Sequence, residues 1–230
     1  MRHDRALGGL TVRIASNFWI KWAEVALEHA GAAKGARQRA IDAEAGSQEM
    51  GEAFDDEMKA GLVAITSSAF AIDAWYEAVK GMITLPPHVI AAWSKSGARP
   101  SRSARVMETL RAGFKLGPAG SRWGRAIKDL YGLRNDAVHF ESEFYESQPH
   151  PTGKSNVSME NVIYSADSAV QAADLGVEVV TVCIECPRPE NVDLTKWCAD
   201  AAHVAGYLAE KRRAEVGDIP LVPVTRFAHT

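Results

Sequence analysis

The sequence predicts an all-α protein: one helical domain over residues 1–230, built from four or five main helices with short extra ones. Three observations carry that expectation. Met58, Leu62, Ile65, Ala69, Ile72, Tyr76, Val79 and Ile83 recur at spacings of four and three, as in a helix packed lengthwise in a bundle. Plotted at about 100° per residue, Trp123, Ile127, Leu130, Ala137 and Val138 gather on one stripe of a second helix. The one run with strand character, VEVVTVCIE from Val177, continues a helical spacing and would have no strand to pair with. With 230 residues, 47% of them hydrophobic, and a mean hydropathy of -0.16, the chain can bury one sizeable core.

The elements follow in order. Ile14, Phe18, Trp22 and Val25 place a helix over residues 12–45, with Trp19 and Trp22 as core or interface anchors and His29 on its face. Ser47 caps a long helix running to about Thr84, which Pro86 and Pro87 close. Pro87 opens a short helix from His88 to Ser96. Ser101 or Ser103 caps another through Phe114, and KLGPAGS turns the chain into a helix from Ser121 to about Phe140. Residues 141–158, with two prolines and no periodicity, form the longest loop, and His150 between Pro149 and Pro151 is expected in solvent. Helical spacing resumes from Met159 to Cys186, PRPENVD turns, and a last helix spans residues 192–216 before an extended tail.

Composition excludes several classes. The longest apolar run, Leu175 to Ile184, is short and carries Glu178, so no membrane association is expected. Arg13 and Lys21 interrupt any signal-peptide core, which points to the cytoplasm. Three cysteines make no disulfide framework. The chain has no glycine-rich phosphate loop, no HExxH and no GxSxG, which argues against nucleoside triphosphatases, zincins and ordinary serine hydrolases, and no cofactor is expected. The net charge of -3 conceals an asymmetry: residues 95–128 carry +8, leaving -11 for the remainder. This basic stretch, ending in Arg122, Arg125 and Lys128, is either a solvated helical face or a track that holds a polyanion such as RNA.

The track leads into LRNDAVHF, residues 133–140. Arg134 lies in the middle of an apolar stripe, where an unpaired guanidinium would cost several kcal/mol, so it must meet a carboxylate, a partner chain or an anionic ligand. Asp73, bordering the long helix's apolar stripe, is the candidate carboxylate; otherwise Asp73 and Glu77 face water. His139 follows Arg134 by five residues and can move protons near neutral pH. Arg134 and His139 together suit phosphodiester chemistry, one stabilising charge and the other transferring a proton. A competing cluster, Cys183, Cys186, Cys198 and His203, has zinc-ligand types, although Cys198 and His203 lie about 140° apart on an ideal helix.

A helix bearing Arg134, Asn135 and His139, preceded by SAFAIDAWYEAVK and followed by VIYSADSAVQAADLGVEVV, resembles the HEPN family (higher eukaryotes and prokaryotes nucleotide-binding). The resemblance covers a core of residues 58–186, with helices 12–45 and 192–216 packed on it. It implies a helical bundle that forms a homodimer, in many members a metal-independent endoribonuclease of toxin-antitoxin, antiviral-defence or CRISPR systems, with a cognate antitoxin or defence partner. Other members have lost activity and act as scaffolds, and the alternative for this chain is a non-catalytic dimeric module that binds a nucleotide, RNA or a partner protein. Carried onto this chain, Arg134 would stabilise the scissile phosphate, His139 would transfer protons and Asn135 would orient them. Arg134 and His139 are about 140° apart on an ideal helix, so convergence asks for side-chain reach, a distorted helix end or two chains.

Overall fold

The computed structural model describes residues 17–95, 100–138 with the backbone of 139, and 146–217. The start of the first helix before Asn17, Ser96, Arg99 of the basic stretch, residues 140–145 and the tail from residue 218 lie outside the described residues, as does the His139 side chain. The fold is an all-α bundle of α1 (Phe18–Asp42), α2 (Gln48–Val79), α3 (Pro87–Ser94), α4 (Arg102–Gly113), α5 (Ala119–His139), α6 (Met159–Ile163), α7 (Ala166–Glu185) and α8 (Val192–Val216). A two-stranded antiparallel pair, β1 (Gln148–Pro149) and β2 (Asn156–Val157), interrupts what the sequence reads as a plain loop.

The helix boundaries have local causes. Ser47 accepts a hydrogen bond from the Met50 amide and starts α2, and Ser101 does the same for α4 through the Ala104 amide. One 3-10 turn, Lys80–Met82, follows α2 before Pro86 and Pro87 stop it. The segment expected as one helix from Met159 is two, broken at Tyr164 and Ser165. Gly61 of α2 explains the close packing there: a Cβ on Gly61 would lie 1.9 Å from the Tyr164 carbonyl oxygen. The first amide of α7, Ala166, donates to Glu57 Oε1 at 2.7 Å, so an acid from α2 caps α7 from across the bundle.

The long helix supplies the centre of the core. Ile65, Ala69, Ile72 and Val79 are fully buried, and Met58 and Leu62 pack at its margin. Trp19 of α1 meets Trp75 of α2 edge-on, with ring centroids 4.9 Å apart, and Trp197 of α8 joins them. The stripe of α5 behaves as expected through Trp123, Ile127 and Leu130, all fully buried. Near its end the stripe reaches the surface: Ala137 is half-buried against the core margin and Val138 is 70% exposed. The end of α5 that carries the Arg134 segment is therefore a surface feature. Among the described residues no helix is long and apolar enough to cross a membrane.

Candidate functional site

Three helices position Arg134. It sits on α5 where that helix emerges from the core, half-buried, with its guanidinium carbon 5.0 Å from the centroid of the Phe70 ring of α2. Phe70 in turn packs against Trp22 of α1, the centroids 5.0 Å apart and the planes inclined by 48°. The result is a ladder of indole, phenyl and guanidinium across α1, α2 and α5. Among the described residues no carboxylate pairs with Arg134, and its guanidinium lies over the Phe70 ring. Asn135 beside it is exposed. His139 closes α5, and its side chain lies outside the described residues.

Asp73 does not partner Arg134. Arg102, at the start of α4, donates to Asp73 Oδ1 at 2.8 Å and to Glu77 Oε1 at 2.8 Å, while the Tyr131 hydroxyl donates to Asp73 Oδ1 at 2.6 Å. Arg102 also lies 4.4 Å from the centroid of the Tyr76 ring. Burial first, and the neighbouring Asp73 charge second, push the Tyr131 phenol far above its ordinary range, so it remains a donor at all ordinary pH. For Arg102, partial burial opposes the charge, but hydrogen bonds to Asp73 and Glu77 outweigh it and raise the pKa. The reason for the difference is tertiary: the N-terminus of α4 brings Arg102 to α2 and takes the carboxylate that spacing alone would offer to Arg134.

The basic stretch is likewise divided. Arg122 is half-buried and donates to Glu178 of α7 at 2.5 Å, which ties α5 to α7. Arg111 pairs with Glu108 at 2.7 Å. Arg125 and Lys128 are exposed. On a regular helix Arg125 is about 180° from Arg134 and Lys128 about 120°, so neither shares its face. The zinc-ligand types do not gather either. Cys183 and Cys198 are buried in the core, the Cys198 thiol donating to the Cys183 carbonyl at 3.8 Å. Burial pushes the Cys183 thiol well above its ordinary value and Cys198 up to about 11, both unfavourable to thiolate ligation. His203 is exposed, its Nδ1 3.0 Å from the Asp200 carbonyl oxygen of its own helix. Among the described residues no three His, Cys, Asp or Glu side chains are placed to share a metal ion.

A second polar cluster was missed. His150, expected in solvent, is 2% exposed and packs on Phe54 with centroids 4.3 Å apart. Its Nδ1 accepts from the Thr152 amide at 3.2 Å, and its Nε2 lies 3.4 Å from Oε2 of Glu57. Glu57 is itself 1% exposed, and its Oε1 accepts from Arg37 Nε at 3.0 Å and Nη2 at 2.8 Å as well as from Ala166. Burial pushes the Glu57 carboxyl upward, but the neighbouring His150 imidazole, the Ala166 amide and the Arg37 guanidinium outweigh it and hold the pKa below its ordinary value. One signal was present in the sequence. Phe54, Glu57, Gly61, Ala64 and Ser68 recur at spacings of three and four, so Glu57 interrupts a buried face of α2 and requires partners. Nothing in the spacing names His150 as one of them.

Arg37 also borders a groove of about 390 Å³ between α1, α7 and α8, lined in part by Lys34, Asp167, Asp174 and Arg212. Its cations are committed: Arg37 to Glu57 and Asp167, Arg212 to both oxygens of Asp174, and Lys34 to the Val216 carbonyl. These contacts brace the helices around the groove. Arg134 is placed differently, half-buried over the Phe70 ring with no carboxylate partner among the described residues. No protein-family profile, characterised protein or solved structure matches this chain.

Proposed function

We propose that the chain is a metal-independent endoribonuclease of the HEPN type, working as a homodimer. The observation that supports this reading most is the state of Arg134: a half-buried cation at an emergent helix end, stacked on Phe70, with no acidic partner among the described residues. Such a guanidinium is available to a phosphate, for which its planar fork of donors is well suited.

In the proposed reaction the ribose 2′-oxygen attacks the adjacent phosphorus and the bond from phosphorus to the 5′-oxygen breaks. One imidazole takes the 2′-hydroxyl proton and a protonated one supplies the 5′-oxygen. The products are a 2′,3′-cyclic phosphate and a 5′-hydroxyl, and no redox partner is needed. His139 is assigned the proton transfers, Arg134 the charge that builds on the non-bridging oxygens, and Asn135 the orientation of either group. RNA is the substrate because the attacking hydroxyl is absent from DNA. A two-fold axis beside the end of α5 would bring Arg134 of one chain near His139 of the other, meeting the angular separation within one helix. An antitoxin or defence-system partner would then restrain the activity.

The test is cleavage of mixed RNA by the purified protein with and without EDTA. Arg134→Ala and His139→Ala are each expected to lower the rate by at least about 100-fold with helicity and melting midpoint preserved, and EDTA is expected to have no effect. The second reading, a non-catalytic nucleotide-, RNA- or protein-binding dimer, is favoured by the divided basic stretch, in which Arg102, Arg111 and Arg122 are held by acids. It predicts salt-dependent binding of polyanions with the RNA left intact.

A further inference from the structure

We infer that the Trp22, Phe70 and Arg134 ladder is a stacking platform for one unpaired nucleobase, with Trp22 as its outer step. This deepens the proposed function and rests on it for the identity of the polyanion. The geometry points to a base because the three groups follow one another in order: Arg134 lies 5.0 Å from the Phe70 centroid, and Phe70 lies 5.0 Å from Trp22. Phe70 packs against the indole at an inclination of 48°, and Trp22 as a whole is 36% exposed. Phe18, one turn earlier on the same face of α1, is 63% exposed and flanks it. Trp19, three residues from Trp22, is by contrast 1% exposed and fills the core. The helix thus divides its two tryptophans between packing and surface.

Charge favours a nucleotide as the occupant. The inner end of the ladder is a guanidinium without an acidic partner among the described residues. The outer end lies beside the N-terminus of α1, whose first turn carries no acidic residue and whose Asn17 side chain makes no capping bond. A strand whose base stacks on Trp22 would run its sugar-phosphate chain along the side of the ladder toward Arg134, two ring steps away. Stacking of this kind tolerates any base, since every base offers a π-face. The platform would select single-stranded RNA over duplex, because paired bases cannot be splayed onto an indole.

The experiment measures binding apart from cleavage. The His139→Ala protein, as the full chain, is titrated against fluorescein-labelled decauridylate and against a ten-unit strand of abasic ribose phosphates at equal salt. We expect decauridylate to bind about 10-fold tighter than the abasic strand. Trp22→Leu should bring decauridylate down to the abasic level and leave abasic binding unchanged, while Trp22→Phe should retain most of the preference. Far-UV circular dichroism and the melting midpoint confirm that each variant is folded. Equal affinity for both strands, binding of neither, or an equal loss on both in Trp22→Leu would overturn the inference. So would a Trp22→Leu protein that sediments as a monomer with base preference intact, which would make this face a protein-protein seam. Wild-type protein that cleaves RNA without base-dependent binding defeats the platform alone. Base-dependent binding with no cleavage defeats the nuclease reading alone.

Discussion

Glu57→Ala removes the acid on which α1, α2, α7 and the β1–β2 pair converge. Glu57 is 1% exposed and Oε1 accepts three hydrogen bonds, two from Arg37 and one from the Ala166 amide. Its loss leaves the α7 amide orphaned and the Arg37 side chain, 16% exposed, with a single remaining acid, Asp167, at 2.7 Å. Breaking a buried charge pair by deleting one partner costs about 3–5 kcal/mol. Asp167 is 65% exposed and continues to hold one end of Arg37, so the lower end of that range, about 3 kcal/mol, is expected. Glu57→Gln keeps an acceptor for Ala166 and loses the charge, and should cost about 1–2 kcal/mol. The assay is urea unfolding followed by circular dichroism at pH 7, repeated at acid pH. Because the folded-state pKa of Glu57 lies below its ordinary 4.5, its contribution is complete above pH 4.5 and is lost as the pH falls through the lowered folded value. The gap between wild type and Glu57→Gln should therefore narrow only below about pH 4.5. An Ala variant within about 1 kcal/mol of wild type, or a gap indifferent to acid, would refute this view of the cluster.

Further outcomes follow from the packing. Gly61→Ala places a methyl group 1.9 Å from the Tyr164 carbonyl oxygen and should lower stability by about 3 kcal/mol or prevent folding, whereas Gly35→Ala, with nothing within 4 Å, should be neutral or stabilising in thermal unfolding. In thiol labelling at pH 8, half-buried Cys186 should react first, and Cys183 and Cys198 should lag by at least about 10-fold because burial raises their pKa. Arg122→Gln should lower the melting midpoint by cutting the link to Glu178, while Lys128→Gln should leave it unchanged and, if Lys128 touches single-stranded RNA, reduce the salt slope of binding by about 0.7.

The fold was legible where one period persists. The four-and-three spacing of α2 buries Ile65, Ala69, Ile72 and Val79 as expected, and the β-branched run in α7 is helical because its neighbours are helices. The break at Tyr164 was not legible, since it depends on Gly61 of a helix about a hundred residues earlier admitting the backbone. At the candidate site, the sequence puts Arg134 in the middle of the apolar stripe, whereas the structure sets it half-buried beside Phe70 of α2. Its partner was misread because Asp73 and Glu77, four apart on α2, present two carboxylates to whichever cation arrives, and α4 delivers Arg102. Local spacing describes one helix at a time. Ion pairs such as Arg122 with Glu178 are fixed by how two helices approach, which no single helix records.

The most direct test of the central claim is end analysis of RNA incubated with the purified protein in EDTA, using a substrate with and without a 2′-deoxy sugar at the cleaved position. Cleavage by the proposed route yields a 2′,3′-cyclic phosphate and a 5′-hydroxyl from the ribose substrate, an uncut deoxy substrate, and loss of product in Arg134→Ala. Intact RNA at high protein concentration, or cleavage that persists undiminished in Arg134→Ala, would contradict it.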